Sequence, residues 1–157
     1  RAFPNNVRGR QGYGVALLEA GRVMEGRSQF EAGLLIRRDV PLLVGMAQAL
    51  MQMEETCANS RSLLNEALTI QPKDPFAPWL MGKCFEREGN VASAEPMYQM
   101  AIRNTAFPDP RLLFDWGVAL ERLGRPSAAA DAYRRAALLN PADAQIKDRL
   151  ARLRNAE

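Results

Sequence analysis

The chain contains no histidine, which removes the commonest general base and the commonest metal ligand at neutral pH. Cys57 and Cys84 are its only cysteines, too few to build a zinc site of the usual four-ligand kind. Serine nucleophiles would have no imidazole partner, so a triad of the ordinary sort is excluded. No apolar run approaches the roughly 20 residues of a membrane-spanning helix. Lysine is scarce, since 18 of the 21 basic residues are arginine. Net charge is only +3 and scattered, a poor footprint for nucleic acid. Gly9-Arg10-Gln11-Gly12-Tyr13-Gly14 is glycine-rich but does not follow a strand pattern, so it is not read as a phosphate loop. What remains, 47% hydrophobic and 25% charged residues over 157 positions, is the mixture of one folded globular domain.

Self-comparison shows a period near 34 residues. Units starting at Val7, Pro41, Pro75 and Pro110 keep their spacing through one extra residue in the third, and span 7–40, 41–74, 75–109 and 110–143. The eighth place holds Gly14, Gln48, Gly82 and Gly117; the twentieth holds Gly26, Ser60, Ala94 and Ala129. Small residues recur at the twenty-seventh place, as Gly33, Ala67, Ala101 and Ala136. Between them the twenty-fourth is bulky each time: Phe30, Leu64, Tyr98, Tyr133. Small residues suit close helix crossings and large ones fill the gaps beside them. Gly21, Gly89 and Gly124 mark turns within three units; Glu55 stands there in the second, so that turn is expected to differ.

This set resembles the tetratricopeptide repeat, a helix–turn–helix unit of about 34 residues, over essentially the whole chain. The resemblance implies an all-α, right-handed superhelix of four hairpins closed by a capping helix at 144–157. Each unit's amphipathic halves agree, because a two-helix unit cannot bury its apolar faces without neighbours. Helices are expected near 8–20, 23–37, 41–54, 57–71, 75–88, 91–104, 110–123, 126–139 and 143–154. Asp74-Pro75 and Asp109-Pro110 read as N-cap followed by proline, with Asn90 and Thr56 capping second helices. Ile146, Leu150 and Leu153 form one narrow apolar stripe on a charged last helix, suited to closing a stack. Residues 1–6, with Pro4-Asn5-Asn6, read as the tail of a preceding unit.

Family members often bind partners on the inner face of the first helices, and carrying those places over selects the candidate site. The second unit gives Leu42, Met46 and Met53; the third gives Phe76, Trp79, Leu80, Lys83 and Arg87. Arg111, Phe114, Val118 and Arg122 come from the fourth. Leu42, Met46, Met53, Phe76, Trp79, Leu80 and Phe114 would then make an open apolar face, which on a soluble protein usually marks a contact. Gln11, Val15, Met46, Phe76 and Leu80 stand where the carboxylate clamp of chaperone-binding members would lie, so that clamp is missing.

The expected function is non-enzymatic: a module that takes an apolar or amphipathic peptide or helix of a partner protein into its groove, without cofactor, metal, nucleic acid or membrane insertion. The resemblance suggests a bacterial secretion, pilus or envelope-polysaccharide assembly, in cytoplasm or periplasm. Alternatives are a self-assembling scaffold, a homo-oligomer whose groove or N-terminal end accepts a neighbour's helix, and a regulatory domain of a larger enzyme. Carboxylate pairs such as Glu54-Glu55 and Glu86 with Glu88 read as solvated surface charge. Cys57 and Cys84 read as buried small hydrophobes, with a disulfide as the alternative.

Overall fold

The structure, a computed structural model, describes residues 6–53 and 57–154. Among them are nine helices and no strand: α1 (Val7–Glu19), α2 (Val23–Leu34), α3 (Val40–Gln52), α4 (Cys57–Ile70), α5 (Phe76–Arg87), α6 (Val91–Arg103), α7 (Pro110–Arg122), α8 (Pro126–Leu139) and α9 (Ala144–Arg154). Each odd helix packs on the even helix that follows it, and each even helix packs on the next odd one. The odd helices α1, α3, α5 and α7 also touch in succession. The result is a two-layered solenoid in which the first helices form one layer and the second helices the other.

Helix ends obey the local chemistry. Asn6 accepts from Gly9 N at 2.8 Å, Asn90 from Ser93 N at 3.1 Å, and Asp109 from Arg111 N at 2.8 Å. Pro110 follows Asp109 as the first helical residue, where its missing N–H costs nothing. The third unit shifts by one place: α5 begins at Phe76, yet Asp74 still accepts from Ala77 N at 2.6 Å. Gly21, Gly89 and Gly124 turn the chain at φ of 73°, 76° and 69°, a conformation costly for residues with a Cβ. The cap expected at Thr56, the turn at Glu55, the Glu54-Glu55 pair, Pro4 and Asn5 lie outside the described residues. α2 is shorter than expected: it stops at Leu34, and Leu35 and Ile36 stand exposed before the linker ion pair of Arg37 with Asp39.

The core repeats one device. An added Cβ on Gly14 would lie 2.8 Å from the Phe30 ring; on Gly82 and Gly117 it would lie 2.5 Å from Tyr98 and Tyr133. Each aromatic ring thus occupies the volume that a missing side chain leaves on the facing helix. The second unit, with Gln48 at the same place, has the smaller Leu64 opposite. Buried phenols need an acceptor: Tyr98 donates to Glu86 and Tyr133 to Glu121, both at 2.6 Å. Glu86 is therefore half-buried and bonded, which corrects its reading as plain surface charge; Glu88 does pair with Arg61. Ile146 of α9 is fully buried against the last hairpin with Leu150 and Leu153 beside it, closing that end. Cys57 and Cys84 are both buried and unbonded. Burial, with the Cys57 thiol alongside, pushes the Cys84 thiol up to about 12, so it stays protonated and inert at neutral pH.

Candidate functional site

The layer of first helices bounds a cleft of about 530 Å³. Val15 and Glu19 come from α1, Val44, Gln48 and Gln52 from α3, Phe76, Leu80 and Lys83 from α5, and Arg111 and Phe114 from α7. Asp143 and Gln145 at the start of the capping helix complete it. No residue of α2, α4, α6 or α8 contributes. Residues as far apart in sequence as Glu19 and Gln145 share one hollow, as the inner side of a curved stack requires. A neighbouring hollow of about 360 Å³ shares Gln48, Gln52, Leu80 and Lys83 and adds Met51, Glu86 and Arg87.

Its floor is a polar–aromatic cluster. The Trp79 indole N–H donates to Asp115 Oδ2 at 2.7 Å. Phe76 stacks beside Trp79 with ring centroids 6.4 Å apart, and the Arg111 guanidinium lies 5.7 Å from the indole centroid, within cation–π range. Arg111 is aimed by Asp109, whose carboxylate it binds at 2.6 Å; that hydrogen bond holds Asp109 below the usual carboxylate range. Asp115 goes the other way. Burial pushes its carboxyl up, against the opposing pull of Lys83 at 3.8 Å and of the indole N–H.

Seven of the twelve expected site residues line these hollows: Phe76, Trp79, Leu80, Lys83, Arg111 and Phe114 border the larger, and Arg87 the smaller. The other five lie outside these hollows, and the structure corrects two of them, Leu42 and Met46. Leu42 is fully buried, its side chain lying over Gly33, where an added Cβ would sit 2.7 Å from Leu42 Cδ2. Met46 is 9% exposed and packs with Leu18, Phe30 and Leu42. The glycines of the first two units let these helices approach so closely that both side chains are drawn inside. Trp79 is also only 9% exposed, covered by its neighbours, so it is a floor and not an open patch. Met53 meets the Arg27 guanidinium instead, at 3.8 Å. Val118 packs on the last core, and Arg122 reaches Glu86 at 3.3 Å. The open apolar face of seven side chains is thus a narrower cleft, in which Phe76, 52% exposed, is the most accessible ring.

Sequence reasoning passed over Val44, Gln48, Asp143 and Gln145. Gln48 carried a signal, since a long amide stands where three other units have glycine. Gln48 and Gln52 lie one helical turn apart on α3 and both border the cleft, supplying donors and acceptors of the kind that pair with peptide groups. Among the described residues no cluster of histidine, cysteine, aspartate and glutamate could hold a metal ion. The arrangement can grip a ligand through rings, amides and mixed charge.

Comparison with known proteins agrees with this architecture. The family model described as tetratricopeptide repeat matches residues 81–145. No curated protein matches the chain in sequence. A crystal structure of MamA superposes with a TM-score of 0.73 at 13% identity, over 94% of this chain and 80% of that one. PilF of Pseudomonas aeruginosa superposes with a TM-score of 0.74 at 16% identity, over 96% of this chain and 68% of that one. At such identities the likeness is one of fold. Four stacked hairpins, with the family match at residues 81–145, give the described chain the fold of a tetratricopeptide-repeat solenoid.

Proposed function

We propose that the chain is a protein-recognition module whose inner cleft takes an apolar or amphipathic segment of a partner protein. The observation that carries this is the cleft itself, walled by first helices, with Phe76 exposed beside Trp79 and with Gln48 and Gln52 facing the same space. Its volume falls within the range of sites that bury a small ligand, so a few residues of a partner would fill it. Binding through one or two apolar anchors, less ordering costs, corresponds to affinities near micromolar, roughly −8 kcal/mol. We further propose that the work is non-catalytic. The setting, an assembly of bacterial secretion, pilus or envelope polysaccharide, rests on family resemblance.

A displayed peptide library panned on the chain and counter-panned on a Phe76→Ala/Gln48→Ala variant tests the reading. Enriched peptides should carry bulky apolar residues and lose roughly tenfold or more in affinity for the variant, a loss of about 1.4 kcal/mol. Failure to enrich any sequence, or equal binding to the variant, would overturn it. Self-association is a second reading, favoured by one observation: Tyr13 and Ala16 of α1 are exposed, while Met81 and Cys84, at the same places of α5, are buried. A mass that rises with concentration in sizing would support it.

A further inference from the structure

Outside the cleft lining, five exposed apolar side chains gather on one edge of the stack. Leu35 and Ile36 follow α2, Ile70 ends α4, and Leu138 and Leu139 end α8. All five stand at the twenty-ninth or thirtieth place of their units, and equal places in a stacked array share an edge. The third unit instead exposes Phe107, in its longer linker, where it borders a hollow of about 240 Å³ with Phe76 and Trp79 beside the cleft. That linker lies against the preceding one, since Asn104 Nδ2 donates to the carbonyls of Pro72 and Asp74 at 3.4 and 3.0 Å. Leu35, Phe107 and Leu138 are 90%, 91% and 84% exposed, so internal packing does not account for their being apolar.

Cations accompany the ridge. Arg37 and Arg38 follow Ile36, Lys73 follows Ile70, and Arg103 precedes Phe107. Lys73 and Arg103 are exposed, and neither has an ion-pair partner among the described residues. The guanidinium groups of Arg37 and Arg38 are paired with Asp39 and Glu66, yet these side chains remain 59% and 53% exposed. Aspartates of the same linkers are turned inward to helix ends: Asp39, Asp74, Asp109 and Asp143 accept from Leu42, Ala77, Arg111 and Gln145 N.

We propose that this edge rests on the surface of an anionic phospholipid bilayer. Leu35, Ile36, Ile70, Leu138 and Leu139 line none of the hollows described and stand as tips divided by polar linkers, which acyl chains accept individually. Headgroup phosphates complement Lys73 and Arg103, while a two-fold contact between copies would set like charges against each other. The association is peripheral: no helix among the described residues is long and apolar enough to cross a membrane. It does not depend on what the cleft binds.

Co-sedimentation with vesicles of phosphatidylcholine and phosphatidylglycerol, against vesicles of phosphatidylcholine alone, tests the proposal. The chain should pellet with the anionic vesicles and release as salt is added. A Leu35→Ser/Leu138→Ser variant should bind roughly tenfold more weakly with an unchanged melting curve, because both side chains are exposed. Lys73→Glu/Arg103→Glu, which touches no apolar group, should weaken binding independently. No pelleting with anionic vesicles, or undiminished pelleting of the serine variant, overturns the proposal. So does a dimer seen in sizing that the serine variant abolishes, since the edge would then belong to a second copy.

Discussion

The last two hairpins close with Tyr98 and Tyr133, each lying over a glycine and donating to a glutamate twelve residues earlier. The first two close with Phe30 and Leu64, and where the later units have Glu86 and Glu121 they have Leu18 and Gln52. Both halves stack alike. One half is held at its crossings by shape and tyrosine–carboxylate hydrogen bonds, the other by shape with a single buried bond from Ser60 Oγ to the Ala47 carbonyl at 3.2 Å. The exchange is concerted within each unit: a hydroxyl appears where a carboxylate can receive it, and glycine appears where a ring must fit. Volume at the crossing is therefore the common requirement, and polarity is optional provided that it is matched.

Overpacking should break the comparison hardest. Gly82→Ala and Gly117→Ala each place a methyl 2.5 Å from a tyrosine ring that is itself enclosed, and each should cost about 1–3 kcal/mol. Gln48→Ala, the same place in the second unit, should stay within about 0.5 kcal/mol, because Gln48 is exposed. Denaturant titrations of the three variants decide this, and equal losses would mean that the ring contacts do not set the eighth place of the third and fourth units apart from that of the second.

Swapping the polarity sharpens it further. Phe30→Tyr would bury a hydroxyl beside Leu18 with no carboxylate to accept it, at a cost of about 1–3 kcal/mol. Tyr133→Phe removes one hydrogen bond but leaves Glu121 paired with Arg149 at 3.1 Å, so the loss should be about 1 kcal/mol. A melting-point drop in the second larger than in the first would show that the carboxylate network, and not the ring, holds the last hairpin.

Much of this was legible before any coordinates, because the periodic signal sits in side-chain size. Gly14, Gly82 and Gly117 against Phe30, Tyr98 and Tyr133 gave the register, and Asp109-Pro110 gave a helix start to the residue. The site was harder. Assigning Leu42 and Met46 to the inner face assumed that every unit is rotated alike about its axes. Gly33 of the first unit leaves a vacancy that Leu42 of the second fills, and no pattern along one helix shows the depth of a neighbour. Trp79 was placed on the correct helix face, but its burial depends on Phe76, Arg111 and Asp115, of which Arg111 and Asp115 lie a full repeat away. Asp143 and Gln145 reach the cleft only through the curvature of the whole stack.

The smallest effect expected is also the most diagnostic of the polar half. Asp115 on α7 is desolvated, and Lys83, Arg111, Glu86 and the Trp79 N–H act on it; burial is the largest of these influences and raises its pKa. The sign follows from proton counting. Between the unfolded value, near 3.8, and the higher folded one, the folded chain holds more proton than the unfolded chain, so stability falls as pH rises through that window. The favourable contribution is complete below the unfolded value and is gone once the folded group ionises. Asp115→Asn keeps an oxygen for the indole N–H and removes the buried charge. The variant should therefore match the parent in acid and melt slightly higher at neutral pH, with a flatter profile between. Thermal melts at both pH values measure this directly. A parent that is the more stable of the two at neutral pH would mean that Lys83 and Arg111 outweigh the desolvation, and the cleft floor would then be an ion pair first and a hydrogen-bonded ring cluster second.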